Sequence, residues 1–208
     1  MTHALASSLL LFGAGGHARV VADAALGQGG WSVLVASDRD PQKCSGELLP
    51  GIELVALQRA LALDAAVHVA IGNNTARELE SAALGAGRLV TVMHRDASVA
   101  PTALLSPGCF VAARAVVAPL ARLGTGVIVN HGAVVDHDAL VGDFTHVCPG
   151  AVLGGAVRLG KRVLVGAGAV VLPGISVADD VVIAAGCVVN KPLDEAGTYA
   201  GIPARRLK

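Results

Sequence analysis

From Val99 to Val189 every sixth residue of the chain is Val, Leu or Ile. Four positions further on, from Ala103 to Leu193, each repeat carries a second residue that fits a tight interior, mostly Ala, Cys or Val. Gly, Pro, Asn and Asp crowd the positions between. A six-residue period fits neither a 3.6-residue helix nor the two-residue alternation of an ordinary strand. It is the hexapeptide repeat of a parallel β-helix, in which each hexapeptide supplies one short strand and one turn. Three hexapeptides close a triangular coil. The branched aliphatic points into the prism, and the small residue fills the narrow space beside the corner. The run over residues 99–194 has no insertion and makes about five coils.

Upstream the pattern changes. Ser8–Phe12 reads as a strand, Ala18–Leu26 has helical spacing, and Trp31–Ser37 reads as a second strand. Residues 55–63 look helical, Ala65–Gly72 is a third strand, NNTARELESAAL from Asn73 is a helix, and Arg88–Val92 is a fourth strand. That order predicts a small parallel α/β layer of the nucleotide-binding type. The chain therefore divides into an α/β unit (residues 1–93), a β-helix (94–194) and a tail (195–208).

The first strand runs into Gly13–His17, GAGGH, which fits G-x-G-x-x-G/A with Gly13, Gly15 and Ala18. Such a loop lets backbone amides at a helix N-terminus approach a phosphate. About 85 residues make only half of a two-lobed dinucleotide fold, so a site for one nucleotide fits the size. A tight turn with no ligand is the alternative.

Composition narrows the classes. The chain has 208 residues, 53% of them apolar, and a prism filled with Val and Leu accounts for that. No apolar run approaches the roughly 20 residues of a spanning helix. Leu9–Phe12 is too short for a signal-peptide core and has no basic residue before it. A cytoplasmic protein without membrane contact is expected. Sixteen basic and sixteen acidic residues cancel, and aromatics are only 2%, so nucleic acid is not an expected partner. Cys44, Cys109, Cys148 and Cys187 form no CxxC pair, and free thiols are expected, with Cys109 and Cys187 at the small inward position.

The histidines gather in the central coils. His137 stands between Asp136 and Asp138, with Asn130–His131 one hexapeptide before and His146 after. An imidazole beside a carboxylate makes a general base near pH 7, because the carboxylate stabilises the imidazolium that forms. His131, His137 and His146 lie six and nine residues apart, without the closer pair that β-helix zinc enzymes use, and no metal is expected. Nothing places a cysteine beside His137, so no covalent acyl intermediate is expected.

The motifs FGAGGHARVV, VAIGNNTAR, MHRDASVAP, VNHGAVVDHDALVGDFTHVCPGAVLGG, GAGAVVLPG and AGIPARRLK together resemble the NeuD/PglD type of sugar O- and N-acetyltransferases, along nearly the whole chain. The resemblance implies a left-handed β-helix and a homotrimer with active sites between subunits. It implies acetyl transfer from acetyl-CoA to the 4-amino group of a nucleotide-linked amino sugar, with His137 as general base and Asp138 raising its basicity. Asn130 and His146 would orient coenzyme and reacting groups, the Gly155 amide would be an oxyanion donor, and the coenzyme would touch the backbone near Ala167 and Ala185. The sugar nucleotide would sit at Gly15, Gly16, His17, Ser37, Asp38 and Gly72. Asp138 is one methylene shorter than the Glu that relatives often carry, and Asp136 is a second carboxylate for the same role. Ser37-Asp38 stands where relatives can show an acidic pair. O-acetylation of a sialic-acid-like sugar is the alternative chemistry. A non-catalytic trimeric nucleotide-binding scaffold is the alternative from another class. The nucleotide, the sugar and the acyl length stay open.

Overall fold

The computed structural model describes residues 8–207. The first layer is a five-stranded sheet of β1 (Ser8–Phe12), β2 (Val33–Ser37), β3 (Glu47–Leu49), β4 (Ile52–Leu54) and β5 (Ala66–Val69), in the order β3-β4-β2-β1-β5. β1 is central and parallel to both β2 and β5, and its Leu9, Leu10 and Leu11 are fully buried. A continuous apolar run is what a parallel strand covered on both faces requires. α1 (Gly16–Gln28) buries Ala18, Val21, Ala22 and Ala25 in one cluster with Leu9 and Leu11 on one side and Phe110 and Ile128 of the prism on the other. Its small side chains let three layers approach closely. α2 (Leu57–Leu61) and α3 (Asn74–Leu84) complete the unit.

Two features differ from the sequence-based expectation. The β3–β4 hairpin at the sheet edge was not anticipated. It turns through Pro50-Gly51, where Gly51 takes φ 85°, the positive φ that a Pro-Gly turn calls for. The expected strand over Arg88–Val92 does not form. Ala86–Arg88 is a 3₁₀ turn, Leu89 makes one bridge to Val67, and β6 (Val92–Met93) leaves the sheet to pair with Phe110–Val111. That pairing buries Val92 in the cluster between the two units.

The repeat closes a three-sided prism. The first face stacks strands from Ser98–Val99 to Val188–Val189, the second from Leu104–Leu105 to Ser176–Val177, and the third from β6 and Phe110–Val111 to Val181–Ile183. All rungs are parallel and in register, so Val99, Val117, Val135, Leu153, Val171 and Val189 stack in one column. Thr145 is the polar exception in the inward series, and its hydroxyl donates to the Gly160 carbonyl and accepts from the Val163 amide. At Gly142 a Cβ would lie 2.5 Å from the Gly160 backbone, so successive coils could not stack on any other residue there. The tail continues the third face with Gly197–Ala200 and Arg205–Arg206, and Tyr199 and Ala204 join the prism core.

The α/β unit sits on the third face. Outward side chains Phe110 and Ile128 are buried beneath it, and one arginine fastens the contact. Arg77 of α3 is 1% exposed. It donates to the carbonyls of Gly126 (2.8 Å) and Phe144 (2.7 Å) in the prism, to Ile71 and Gly72 in the α/β unit, and to Asn74 Oδ1. Asn74 in turn donates to the Arg162 and Val163 carbonyls. Burial lowers the Arg77 pKa to about 10, so the group stays charged at neutral pH with oxygens on every side. Arg77→Ala would strand several buried carbonyls at about 1–3 kcal/mol each. We expect a loss of about 3 kcal/mol or more in equilibrium denaturation; a change below about 0.5 kcal/mol would show that Arg77 does not hold the units together.

Candidate active site

The first half of the site is a cavity of about 340 Å³ at the end of β1, lined by Gly13–His17, Asp38, Lys43 and Ala70–Gly72. Gly13 takes φ 127°, and a Cβ there would meet the Ala70 carbonyl at 2.8 Å. This lets the chain turn directly from β1 into α1. Gly15, the N-cap of α1, offers no side-chain cap, and the first turn carries no acidic residue. No atom would lie within 4 Å of a Cβ on Gly15 or Gly16. The Gly13 and Ala14 amides are taken by the Ser37 carbonyl and Asp38, so the room for an anion is at Gly15 and Gly16, where α1 begins.

Asp38 fixes this loop. Its Oδ2 accepts the Ala14 amide at 2.9 Å and its Oδ1 the Asp40 amide at 3.0 Å. Ser37 belongs elsewhere. It is fully buried and its hydroxyl donates to the Val55 carbonyl, so it braces the strand ends and does not line the cavity. Lys43 also reaches the cavity, although no motif in the sequence includes it. It ends the 3₁₀ turn Pro41–Lys43, whose N-cap Asp40 accepts the Gln42 amide. Asp-Pro at the turn's start is the signal that was available.

Beneath the loop lies a line of neutral imidazoles. His17 touches Phe110 edge-on at 5.4 Å between ring centres and His146 at 6.0 Å. Burial, then the neighbouring His146, pushes the His17 pKa down to about 3, and its Nε2 is buried without a partner. His146 bonds the Gly72 carbonyl through Nδ1 (3.2 Å) and the Asn130 side-chain nitrogen through Nε2 (3.1 Å). Nδ1 therefore carries the proton and Nε2 accepts, and burial holds the pKa near 4. The structure thus brings Gly15, Gly16, His17, Gly72, Asn130 and His146 together.

His137 is elsewhere, at the corner between the first and second faces. Its side chain is 59% exposed, with Nδ1 2.9 Å from Asp138 Oδ2. Asp138 adopts φ 59°, a left-handed conformation that Asp tolerates, and its carboxylate reaches the ring despite its short side chain. Asp136 accepts the His137 backbone amide instead, at 2.7 Å. The hydrogen bond from Asp138, then the charge of Asp136, raises the His137 pKa. The far edge of the ring lies over Gly155, where a Cβ would sit 2.5 Å from Nε2. A side chain at position 155 would push the imidazole off this seat.

A corner between two faces of a triangular prism points away from the third face. His137, Asp138 and Gly155 therefore lie on the opposite side of their own prism from the glycine loop. Asn130, Ala167 and Ala185 line another corner, between the third and first faces. At that corner the left-handed position of successive coils is Gly132, Gly150, Gly168 and Gly186, with open space around each. Elsewhere Asp138, Phe144, Ala156 and Arg162 take the same backbone conformation. The glycine ridge is thus bare of side chains over about 14 Å, at roughly 4.8 Å per coil. Cys148 is half-buried near this ridge, and burial pushes its thiol up to about 11. It is protonated at neutral pH and no nucleophile.

Among the described residues no group of three or more His, Cys, Asp or Glu could hold a metal ion, and no helix is long and apolar enough to cross a membrane. The cysteines are free.

Comparison with known proteins bears on both halves. The PglD N-terminal domain model matches residues 8–81, and the hexapeptide repeat of succinyl-transferase matches residues 156–191. No curated protein matches in sequence. Among solved structures, a histidine mutant of the GDP-perosamine N-acetyltransferase of Caulobacter crescentus, in complex with CoA and GDP-perosamine, is 31% identical over 97% of each chain, with a TM-score of 0.89. The acetyltransferase domain of PglB from Neisseria gonorrhoeae, in complex with acetyl coenzyme A, is 35% identical over 97% of this chain and 99% of that one, with a TM-score of 0.88. WeeI from Acinetobacter baumannii, at 22% identity and a TM-score of 0.86, shares the fold.

Proposed function

The chain belongs to the NeuD/PglD-type sugar acetyltransferases, acetyl-CoA-dependent enzymes with a hexapeptide-repeat domain, and from that premise we propose that it acetylates the 4-amino group of a nucleotide-linked amino sugar. The observation that carries this reading is the pairing of an anion-accepting glycine-loop cavity with an exposed His–Asp pair.

The neutral 4-amino group attacks the thioester carbon of acetyl-CoA. A C–N bond forms, His137 Nε2 takes the proton released from nitrogen, and the Gly155 amide donates to the oxyanion. Collapse breaks the C–S bond, and the imidazolium returns its proton to the departing thiolate. Base catalysis of this kind contributes about 10²–10⁴-fold and one oxyanion donor about 10²–10³-fold. Asn130 and His146 orient the groups, and the coenzyme arm runs along the glycine ridge past Ala167 and Ala185. A bare ridge suits an elongated ligand that reads backbone.

Because His137 and the glycine loop occupy opposite sides of one prism, a complete site takes the loop of one chain and the base of its neighbour. The first face supports such an assembly. After Ser98 its outward residues Val116, Val134, Val152, Val170 and Val188 make an unbroken apolar stripe, whereas the second face mixes Leu104 and Leu140 with Arg122, Arg158 and Ser176. The stripe lies between the His137 corner and the glycine ridge. Packing three copies about it brings one chain's base beside the next chain's ridge and loop, in a closed ring.

The test is release of CoA thiol from acetyl-CoA with UDP-, GDP- and dTDP-linked 4-amino sugars and free sialic acid as acceptors. Turnover on one nucleotide-linked amino sugar is expected. Turnover on sialic acid alone would replace N-acetylation with O-acetylation.

A further inference from the structure

The cavity at the glycine loop contains one cationic side chain, Lys43, beside a neutral His17 and the Asp38 carboxylate. Asp38 is committed to the loop, since each of its oxygens already accepts a backbone amide. Lys43 Nζ lies 3.9 Å from Asp38 Oδ2, beyond hydrogen-bond distance, and the side chain is 51% exposed. Its ammonium donors are thus available to a second anion. Arg39, just before the turn, is not: it is held bidentate on Glu80 of α3, with contacts of 2.8 to 3.1 Å. The short distance from Nζ to Asp38, and from Asp38 to the Ala14 amide, puts the ammonium next to the loop amides. One phosphate on those amides leaves the next phosphate of a diphosphate within reach of Lys43.

We infer that Lys43 is a specificity-determining residue: it binds the second phosphate of the acceptor's nucleotide and makes the cavity select nucleoside diphosphates over monophosphates. The inference rests on the proposed acceptor class and adds a residue to it. The division of labour follows from chemistry. Backbone amides at a helix start hold one phosphate by dipole and hydrogen bond, while lysine meets the other as a mobile point charge. Asp38 both tethers the loop and, through its charge, keeps the Lys43 side chain over the cavity when no ligand is bound. The base and sugar are not read by Lys43, so its effect is independent of which nucleoside the cavity prefers.

The experiment is calorimetric titration of the intact protein with UDP, GDP and dTDP and with the corresponding monophosphates, for wild type, Lys43→Ala and Lys43→Arg, with CoA titrated in parallel. Wild type is expected to bind its preferred diphosphate more tightly than the monophosphate. Lys43→Ala should weaken the diphosphate by about 10- to 100-fold, the range for a hydrogen bond to a charged group, and leave the monophosphate nearly unchanged. Lys43→Arg should restore most of the difference, and CoA affinity should not move in either variant. In turnover the loss should appear in KM for the sugar nucleotide with kcat preserved. Undiminished diphosphate affinity in Lys43→Ala, or equal weakening of both phosphate series, would overturn the role of Lys43 alone. Wild type that binds CoA but none of the nucleotides would overturn the acceptor reading, and this role with it.

Discussion

Replacing His137 with Ala is expected to lower kcat by about 10²–10⁴-fold while leaving KM for both substrates within a few-fold. The ring is exposed, lies over Gly155 and bonds the equally exposed Asp138, so its removal is expected to cost little in stability or binding. The pH dependence gives a second readout. A base must be neutral to accept a proton, and the Asp138 hydrogen bond raises the His137 pKa, so activity should climb as pH rises through that raised value. Asp138→Asn removes the bond that raises it, and the left-handed backbone at position 138 suits Asn as well as Asp. The variant's rising limb should move to lower pH and its plateau should fall. A limb that stays put would belong to the acceptor amine. A His137→Ala enzyme within about fivefold of wild type would remove His137 from the chemistry.

A double substitution on the first face, Val134→Glu with Val152→Glu, is expected to give a folded monomer with activity reduced by about 10³-fold or more. Both side chains point outward from consecutive rungs of the stripe, so the prism interior is untouched. Association would have to bury two unpaired carboxylates per chain, which costs several kcal/mol each. The monomer keeps its glycine loop, His146 and His137, but the two halves of the site face opposite ways. Light scattering and the thiol-release assay read the two effects separately. A variant shown to be monomeric and still fully active would mean that one chain suffices.

The prism was legible from its period because the interior repeats the same steric demand at every coil, and a demand repeated that often leaves a mark in sequence. The His137 corner is legible for another reason: Asp is common at the turns of the prism, where Asp136 accepts a backbone amide, but an imidazole between two carboxylates is a general-base pattern. The contact between the units leaves no such mark. Arg77 lies in an ordinary amphipathic helix pattern, and its acceptors are carbonyls, which have no sequence signature. Lys43 reads as a surface charge until the Pro41–Lys43 turn carries it to the loop. β6 leaves the sheet that its sequence suggests because a short apolar run satisfies either partner, and Phe110 and Ile128 decide between them. Ser37 enters the substrate site only through the family resemblance, and its side chain points into the sheet edge toward Val55.

The most direct measurement is complementation between two variants that are inactive alone. One is His137→Ala, which lacks the base. The other is Gly15→Phe, which fills the loop cavity at a position with open space and φ −90°, where the backbone bears no strain. Random assembly of equal amounts of the two co-expressed chains into the proposed trimer gives about a quarter of all sites an intact loop from one chain and an intact His137 from its neighbour. Recovery of roughly that fraction of wild-type turnover is the expected result. Mixed trimers with no more activity than the separate variants would contradict a site shared between chains.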